Sequence, residues 1–206
     1  IRRNRYVFID EISQVLEAFT TDDMFHHTDA RMVHDLLCEI VAKAECLIVA
    51  DANINERTLK FIERCRPNEK YNFIQIKPKG EGKKAYIHNT EAELFKHILS
   101  KIMVDDQNIW ITCDTKEKVT ELSRALSHYD HIKHLAITGP NQGMKDQAAF
   151  LSNPGEESKK YNVVIASSVI SSGLSIEHDH FDMVAGFFFG GTIKPTDAYQ
   201  MIGRVR

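Results

Sequence analysis

The sequence predicts an α/β protein with two lobes built on mainly parallel sheets. Short apolar runs alternate with segments of helical periodicity along most of the 206 residues, which is typical of parallel α/β folds. Hydrophobic residues make up 43% of the chain and charged residues 27%, the balance of a globular protein and not of a disordered one. A stretch at 67–89 interrupts the alternation, and we take it as the connection between the lobes.

The elements of the first part follow from the spacing of its apolar residues. Uninterrupted apolar runs predict buried strands, and apolar residues repeated every three or four positions predict helices. The expected elements are a strand at 6–9, a helix at 12–19, a helix at about 29–44, a strand at 46–50 and a helix through Leu59, Phe61 and Ile62.

The connection and the second part are read in the same way. Prolines and glycines around a lysine-rich turn separate two strand-like pieces, 71–76 and 85–88, which can form a hairpin. After them we expect a helix at 91–103, a strand at 108–113, a helix at 115–127, a strand at 132–138, a helix near 144–151, strands at 161–167 and 181–189, and a last helix with Thr196 as its N-cap. The run Phe187-Phe188-Phe189 is expected in the core, with one ring free to face a partner.

Charge, hydropathy and cysteine spacing restrict the class of protein. The net charge of −3 means that any contact with nucleic acid depends on a local basic stripe. No apolar run approaches the roughly 18 residues of a membrane span, and four cysteines without Cys-x-x-Cys spacing predict reduced thiols in a cytoplasmic protein. The chain opens on a basic patch and stops inside a helical pattern, so we expect it to be part of a longer protein.

Two adjacent carboxylates, Asp10 and Glu11, follow the first predicted strand directly. In P-loop nucleotide triphosphatases a strand-end aspartate holds Mg²⁺, and another polar side chain positions the attacking water. Two like charges this close repel each other, and a divalent cation relieves that repulsion. The pair also fits a helix start, with Asp10 as N-cap and Glu11 in the first turn. Taken alone, it leaves both interpretations open.

Two further segments carry groups that suit phosphate. The predicted strand at 161–167 runs into a loop rich in serine and glycine, whose hydroxyls and amides suit phosphate oxygens, although an ordinary turn with Gly173 at positive φ is an equal alternative. Gln200 and Arg204 lie four residues apart, so they share one face of the last predicted helix, while Arg206 points elsewhere. A guanidinium binds phosphate in bidentate fashion, but a solvated basic helix end is the alternative.

The order of these pieces resembles that of superfamily-two helicases, and specifically of the herpesvirus-type replication-origin-binding helicases. The matching segments are 7–13 for motif II, 49–52 for motif III, 108–113 for motif IV, 166–176 for motif V and 200–204 for motif VI. The resemblance implies that residues 1–66 form the C-terminal part of a first RecA-like lobe, which is only partly present. Residues 67–89 would connect it to a second RecA-like lobe at 90–206.

Carried over position by position, the resemblance implies a role for each matching residue. Asp10 would hold Mg²⁺ and Glu11 would polarise the attacking water, while Asp51 would couple the nucleotide state to the lobes. Gln200 and Arg204 would complete catalysis, with Arg204 as the arginine finger. ATP would further contact Gly173 and Ser175, and the nucleic-acid backbone would contact Thr138, Gly139, Ser168 and Ser171.

The resemblance implies an ATP-dependent helicase or translocase that acts in DNA replication, with DNA favoured over RNA and replication proteins as possible partners. No Gly-x-x-x-x-Gly-Lys-Ser/Thr loop occurs in the 206 residues. In the family that loop precedes motif II, so we expect it upstream of Ile1 and expect this chain alone to be inactive. The alternatives are a catalytically dead nucleic-acid-binding or scaffold module, and a single doubly wound domain of an unrelated α/β enzyme.

Overall fold

The computed structural model describes residues 6–20, 29–52, 54–76, 83–168, 174, 176, 179–191 and 193–205. The chain divides into two compact units, unit 1 at Ile1–Glu81 and unit 2 at Gly82–Arg206. The division falls inside the 67–89 stretch. The assignment of 1–66 and 90–206 to two RecA-like lobes stays a prediction.

Unit 1 is a small parallel sheet with helices packed on one face. Its elements are β1 (Tyr6–Asp10), α1 (Ile12–Ala18), α2 (Ala30–Lys43), β2 (Cys46–Ala50) and α3 (Glu56–Cys65). The two strands are paired in parallel with Asp10 opposite Ala50, so both strands end at the same edge. Ile12, Leu16, Val41 and Phe61 form the buried core beneath the helices. The other sheet face leaves three large apolar side chains exposed: Tyr6, Phe8 and Ile48.

Side-chain caps explain where two helices of unit 1 begin. The Asp29 carboxylate accepts a hydrogen bond of 2.9 Å from the Arg31 amide at the start of α2. The Asn55 side chain accepts one of 3.2 Å from the Thr58 amide at the start of α3. Each cap satisfies an amide that has no partner inside the helix.

Unit 2 is a four-stranded parallel sheet in the order β4-β5-β3-β6. Its strands are β3 (Ile109–Cys113), β4 (His134–Ile137), β5 (Val163–Ser167) and β6 (Met183–Phe187). Its helices are α4 (Glu91–Met103), α5 (Lys116–Leu126), α6 (Lys145–Ser152), α7 (Pro154–Glu157) and α8 (Pro195–Ile202), with 3₁₀ turns at Gly139–Asn141 and Ser158–Lys160.

Two apolar clusters cover the two faces of this sheet. One packs alternate residues of the central strands, such as Ile111 and Ile165, against α4 and α5. The other packs Trp110 and Val164 against Phe150 of α6. Every residue of β3 and of β5 is buried, as expected for parallel strands covered on both sides.

Two expectations about the elements are wrong. The pieces 71–76 and 85–88 are not strands, because neither pairs with a strand in the described part of the chain, and both expose apolar side chains such as Ile74 and Ile87. Thr196 is not the N-cap of α8: Lys194 holds that position and Pro195 is the first helical residue, where its missing amide costs nothing. The short helix α7, which no apolar period marks, was not expected.

Two further observations bear on the class of protein. In the described part of the chain, no helix is long and apolar enough to cross a membrane. All four cysteines are free thiols. Burial raises the pKa of the Cys113 thiol to about 12, so this cysteine stays protonated and unreactive at neutral pH.

Candidate functional site

The carboxyl edge of the unit 1 sheet gathers three acidic residues. Asp10 ends β1 with its side chain exposed, and Glu11 follows it directly. Asp51 directly follows β2 and therefore lies at the same edge, since Asp10 pairs with Ala50. Strand ends of a parallel sheet are a common location for ligand sites, because the loops that follow them meet there.

The turn at Glu11 has an uncommon backbone conformation. Glu11 has φ of 50° and ψ of 48°, the left-handed region that a residue with a Cβ normally avoids. This conformation costs on the order of 1–2 kcal/mol, and such costs are concentrated at functional sites. The alternative helix start, with Asp10 as N-cap and Glu11 in the first turn, is wrong in its geometry. Glu11 occupies the N-cap position of α1 and its side chain makes no capping hydrogen bond.

Asp51 ties the two strand ends of unit 1 together. Its Oδ2 accepts a hydrogen bond of 2.7 Å from the backbone amide of Ser13, in the first turn of α1. A bond of this length from an amide to a carboxylate is charge-assisted and stronger than a neutral one. Asp51 thereby connects the loop after β2 to the turn that carries Asp10 and Glu11.

The carboxylates of unit 1 fit a Mg²⁺ ion that is bound by one carboxylate and otherwise by water and phosphate. Among the described residues, no three acidic, histidine or cysteine side chains converge to form a metal cage. Mg²⁺ commonly takes one or two carboxylates and fills its remaining positions with water and substrate phosphate. Asp10 matches that arrangement, because its carboxylate is exposed at the strand end and, among the described residues, accepts one local hydrogen bond of 3.1 Å from the Glu11 amide.

The carboxyl edge of the unit 2 sheet carries part of the predicted nucleic-acid set. Thr138 and Gly139 directly follow β4, at the start of the 3₁₀ turn. The Thr138 amide donates a hydrogen bond of 2.7 Å to Asn141, whose own amide group holds the carbonyl of Ala136 at 3.0 Å. The Thr138 side chain is 8% exposed, so a ligand would meet mainly the backbone at Gly139.

The predicted motif V loop is described only at its start and at two buried positions. Ser168 directly follows β5, and its hydroxyl donates a hydrogen bond of 3.4 Å to the Asp114 carbonyl. Leu174 and Ile176 are buried against the sheet. Three predicted site residues lie outside the described residues: Ser171, Gly173 and Ser175.

The predicted motif VI residues do not all lie on α8, which is a correction. The helix ends at Ile202 with Gly203 as its C-cap, so Gln200 is helical whereas Arg204 lies in the turn that follows. The Arg204 carbonyl accepts a hydrogen bond of 2.9 Å from the Ile176 amide, which fixes this turn to the end of the motif V segment. Arg206 lies outside the described residues.

The guanidinium of Arg204 is not neutralised by a carboxylate in the described part of the chain. Among the described residues, no carboxylate forms an ion pair with it, and its Nε is buried without a hydrogen-bond partner. A buried guanidinium nitrogen normally has a partner, so an incoming anion would satisfy it.

Sequence reasoning missed a second group of residues at this edge. Asp114 directly follows β3, is 1% exposed and accepts a hydrogen bond of 2.7 Å from the Phe189 amide. Lys118 in α5 is 9% exposed and lies under the Phe189 ring. The position of Asp114 was a usable signal, because Asp10 and Asp51 also directly follow strands. The contact with Phe189 joins residues 75 positions apart, and no local pattern marks it.

Comparison with known proteins gives distant relatives among viral replication proteins. No protein-family model matches the chain. It is 25% identical over 217 residues to the replication origin-binding protein of human herpesvirus 7, with 100% of this chain and 26% of that protein aligned. It is 20% identical over 200 residues to a protein of African swine fever virus named for a helicase/primase complex, with 97% of this chain and 18% of that protein aligned. The chain thus spans about a quarter or less of each relative.

Comparison with solved structures shows the fold. A yeast Dbp5 variant bound to RNA and ADP·BeF3 matches with a TM-score of 0.63 and 16% identity, over 100% of this chain and 51% of that one. A Dbp5 variant bound to Gle1 matches with a TM-score of 0.59 and 15% identity, over 97% of this chain and 48% of that one. The parallel α/β fold therefore resembles the RecA-like lobes of DEAD-box helicases. With the viral relatives, this confirms the predicted resemblance to superfamily-two helicases of the origin-binding type.

Proposed function

We propose that the chain is part of an ATP-dependent DNA helicase or translocase that acts in DNA replication. The observation that carries the proposal is the turn after β1. Glu11 is held in the left-handed conformation beside Asp10, whose carboxylate is exposed at the end of a parallel strand. A strained acidic turn at this edge suits the magnesium and water side of a nucleotide triphosphate site.

The residues of unit 1 would bind and orient the groups that react. Asp10 would hold Mg²⁺ through water, and the metal would neutralise charge on the phosphates. Glu11 would accept a hydrogen bond from the attacking water and align it. Asp51, through its bond to the Ser13 amide, would hold this turn in register with the loop after β2.

The residues of unit 2 would sense the phosphates and the nucleic acid. Arg204 would act as the arginine finger, and its lack of a carboxylate partner in the described part supports that role. Gln200 would approach the γ-phosphate from α8. Gly173 and Ser175 would contact the nucleotide, and Thr138, Gly139, Ser168 and Ser171 would contact the nucleic-acid backbone.

The names of the relatives favour DNA replication as the process. The herpesvirus relative is named for binding a replication origin, and the African swine fever virus relative for a helicase/primase complex. The Dbp5 structure contains RNA, so the structural likeness does not by itself favour DNA. Replication proteins as partners and a cytoplasmic location stay predictions.

The test is ATP hydrolysis by the full-length protein with and without single-stranded DNA. Arg204→Ala should lower turnover by about 10³–10⁵-fold, because an arginine finger stabilises charge that develops only in the transition state. Glu11→Gln should lower it by about 10²–10⁴-fold. ATP affinity should change little in both variants.

The matched control is Arg124→Ala, which removes an exposed arginine from the end of α5 in the same unit. It should leave turnover unchanged. A folded protein that binds DNA without hydrolysing ATP would support the catalytically dead binding module. Turnover that is indifferent to both Glu11→Gln and Arg204→Ala would contradict the proposed site and point to an unrelated α/β enzyme.

A further inference from the structure

An exposed aromatic ring lies at the carboxyl edge of the unit 2 sheet. It takes no part in the phosphate and backbone contacts of the proposed function. Phe189 follows β6 by two residues and is 57% exposed, whereas Phe187 in the same run is buried at 3%. Because all four strands of the sheet are parallel, Phe189 shares its edge with Gly139 after β4 and Ser168 after β5. The predicted nucleic-acid residues and the exposed ring thus lie along one edge.

The backbone of Phe189 is fixed by a buried carboxylate. The Phe189 amide donates a hydrogen bond of 2.7 Å to Asp114 Oδ2. Asp114 is 1% exposed, and its own amide bonds the Phe187 carbonyl at 3.2 Å. Oδ2 is satisfied in this way, whereas Oδ1 is buried without a hydrogen-bond partner. The charge-assisted bond from the Phe189 amide is thus the contact that ties the segment after β6 to Asp114.

The ring of Phe189 is supported from below by a lysine. Lys118 Nζ lies 5.3 Å from the ring centroid, within the range of a cation–π contact. The same ammonium forms ion pairs of 2.7 Å with Glu91 and with Glu121, which hold it in place. The ammonium therefore supports one face of the ring, while more than half of Phe189 stays exposed.

The surroundings of the ring favour a neutral, flat ligand over a phosphate. Two carboxylates already balance the charge of Lys118, so this ammonium offers no net positive charge to an anion. Next to the ring, Gly190 and Gly191 have no described atom within 4 Å of where a Cβ would lie. Among the described residues, the space at these two glycines, which directly follow Phe189, is open.

We propose that Phe189 is a stacking contact for an unpaired nucleic-acid base at the carboxyl edge of unit 2. The inference rests on the proposed function in taking single-stranded nucleic acid as the ligand. Every base has a π-face, so one aromatic ring can bind bases without reading sequence. Asp114 and Lys118 are positioning residues that hold the ring, and Gly139 and Ser168 lie along the same edge where backbone contacts are predicted.

The experiment measures binding of the full-length protein to two labelled oligonucleotides of equal length. One is oligothymidylate and the other carries only abasic residues, so the pair separates base contacts from backbone contacts. Phe189→Ala should weaken binding of oligothymidylate about tenfold and leave abasic binding unchanged, because stacking contributes about a tenfold to hundredfold difference per base. Phe189→Trp should retain the preference for bases.

Two further variants keep the test decisive. Phe189→Leu retains apolar bulk without an aromatic face and should lose the same preference, even if the alanine variant folds poorly. Phe73→Ala removes another exposed phenylalanine, in unit 1, and should change neither affinity. Equal losses on both oligonucleotides, or no loss with Phe189→Ala, would overturn the stacking contact and leave the proposed function standing. No binding of either oligonucleotide by the wild type would count against both.

Discussion

Units 1 and 2 hold their strand-end residues in different ways. In unit 2, every residue of β5 is buried and apolar clusters cover both faces of the sheet. In unit 1, β1 alternates between exposed and half-buried residues, and described helices cover one face alone. At the edge of unit 1 the backbone at Glu11 is strained. At the edge of unit 2 a buried carboxylate, Asp114, accepts a hydrogen bond from Phe189 and so anchors the segment after β6.

The difference bears on what each edge can do. A strained turn presents acidic groups in a geometry that an ordinary helix start would not allow, which suits chemistry on a bound phosphate. Buried anchors on a sheet covered on both faces keep loops in fixed positions, which suits recognition of an extended ligand. In the proposed function, the edge of unit 1 would serve the metal and water side of hydrolysis. The edge of unit 2 would contact nucleic acid, and Gln200 and Arg204 of the same unit would act on the phosphates.

The largest expected effect compares two isoleucines in the middle of strands. Ile165→Ala in β5 should lower the free energy of unfolding by about 3 kcal/mol, because a fully buried side chain leaves a cavity. Ile48→Ala in β2 removes a side chain that is 55% exposed and should change stability by less than about 0.5 kcal/mol. Urea unfolding followed by circular dichroism measures both. Similar losses in the two variants would show that the open face of unit 1 is covered in the protein.

A smaller effect is expected from removing the cation under Phe189. Lys118→Met keeps the apolar stem of the side chain but removes the ammonium that pairs with Glu91 and Glu121. It should lower the free energy of unfolding by about 1 kcal/mol, a modest loss because both glutamates keep access to water. Lys60→Met in unit 1 breaks a pair whose side chains are 71% and 82% exposed and should have almost no effect. Urea midpoints measured side by side check the difference.

The same lysine has a defined pH dependence. Burial lowers the pKa of Lys118, but the hydrogen bonds that its ammonium donates to Glu121 and Glu91 outweigh burial and leave the pKa above the usual 10.5. A raised pKa in the folded state means that the stabilisation is fully present below about pH 10.5 and is lost as the pH rises through the folded value. The difference between wild type and Lys118→Met should therefore be equal at pH 7 and pH 9. A difference that shrinks over this range would contradict the paired geometry.

The smallest expected effect tests the strained turn. Glu11→Gly should raise the free energy of unfolding by about 0.5 kcal/mol, because relief of the left-handed conformation exceeds the extra chain entropy of glycine. Glu63→Gly, in the last turn of α3, should instead lower it by about 0.5 kcal/mol. Thermal unfolding of both variants provides the comparison. Destabilisation by Glu11→Gly would show that the Glu11 side chain is needed for folding.

Most elements of the fold could be predicted from local pattern, and the exceptions have physical causes. The helix predicted at about 91–103 matches α4 (Glu91–Met103), and the structure shows that the Thr90 side chain caps its first turn. The four strands of unit 2 were predicted too long, since pairing with a neighbouring strand, and not apolar character, decides where a strand stops. In unit 1 the prediction 46–50 equals β2, and the prediction 6–9 is one residue shorter than β1. The segments 71–76 and 85–88 have strand-like composition, but a strand also needs a partner, and composition does not supply one.

In the candidate site too, local features could be predicted from the sequence, and contacts between distant residues could not. The adjacent carboxylates at Asp10 and Glu11 and the order of the motifs were visible in the sequence, because they are local or sequential features. The separation of Arg204 from α8 was not visible, since a hydrogen bond from the distant Ile176 amide holds the turn after Gly203.

The sequence by itself determined the α/β class, the alternation of elements and the residues that follow each strand. These depend on apolar periodicity and capping, which act over a few residues. Only the tertiary structure decided that Glu11 has a left-handed backbone, that Asp51 bonds the Ser13 amide and that Phe189 is exposed above Lys118. Those features arise where strand ends far apart in the chain meet at one edge of a sheet, and pairing across the sheet, not local preference, brings them together.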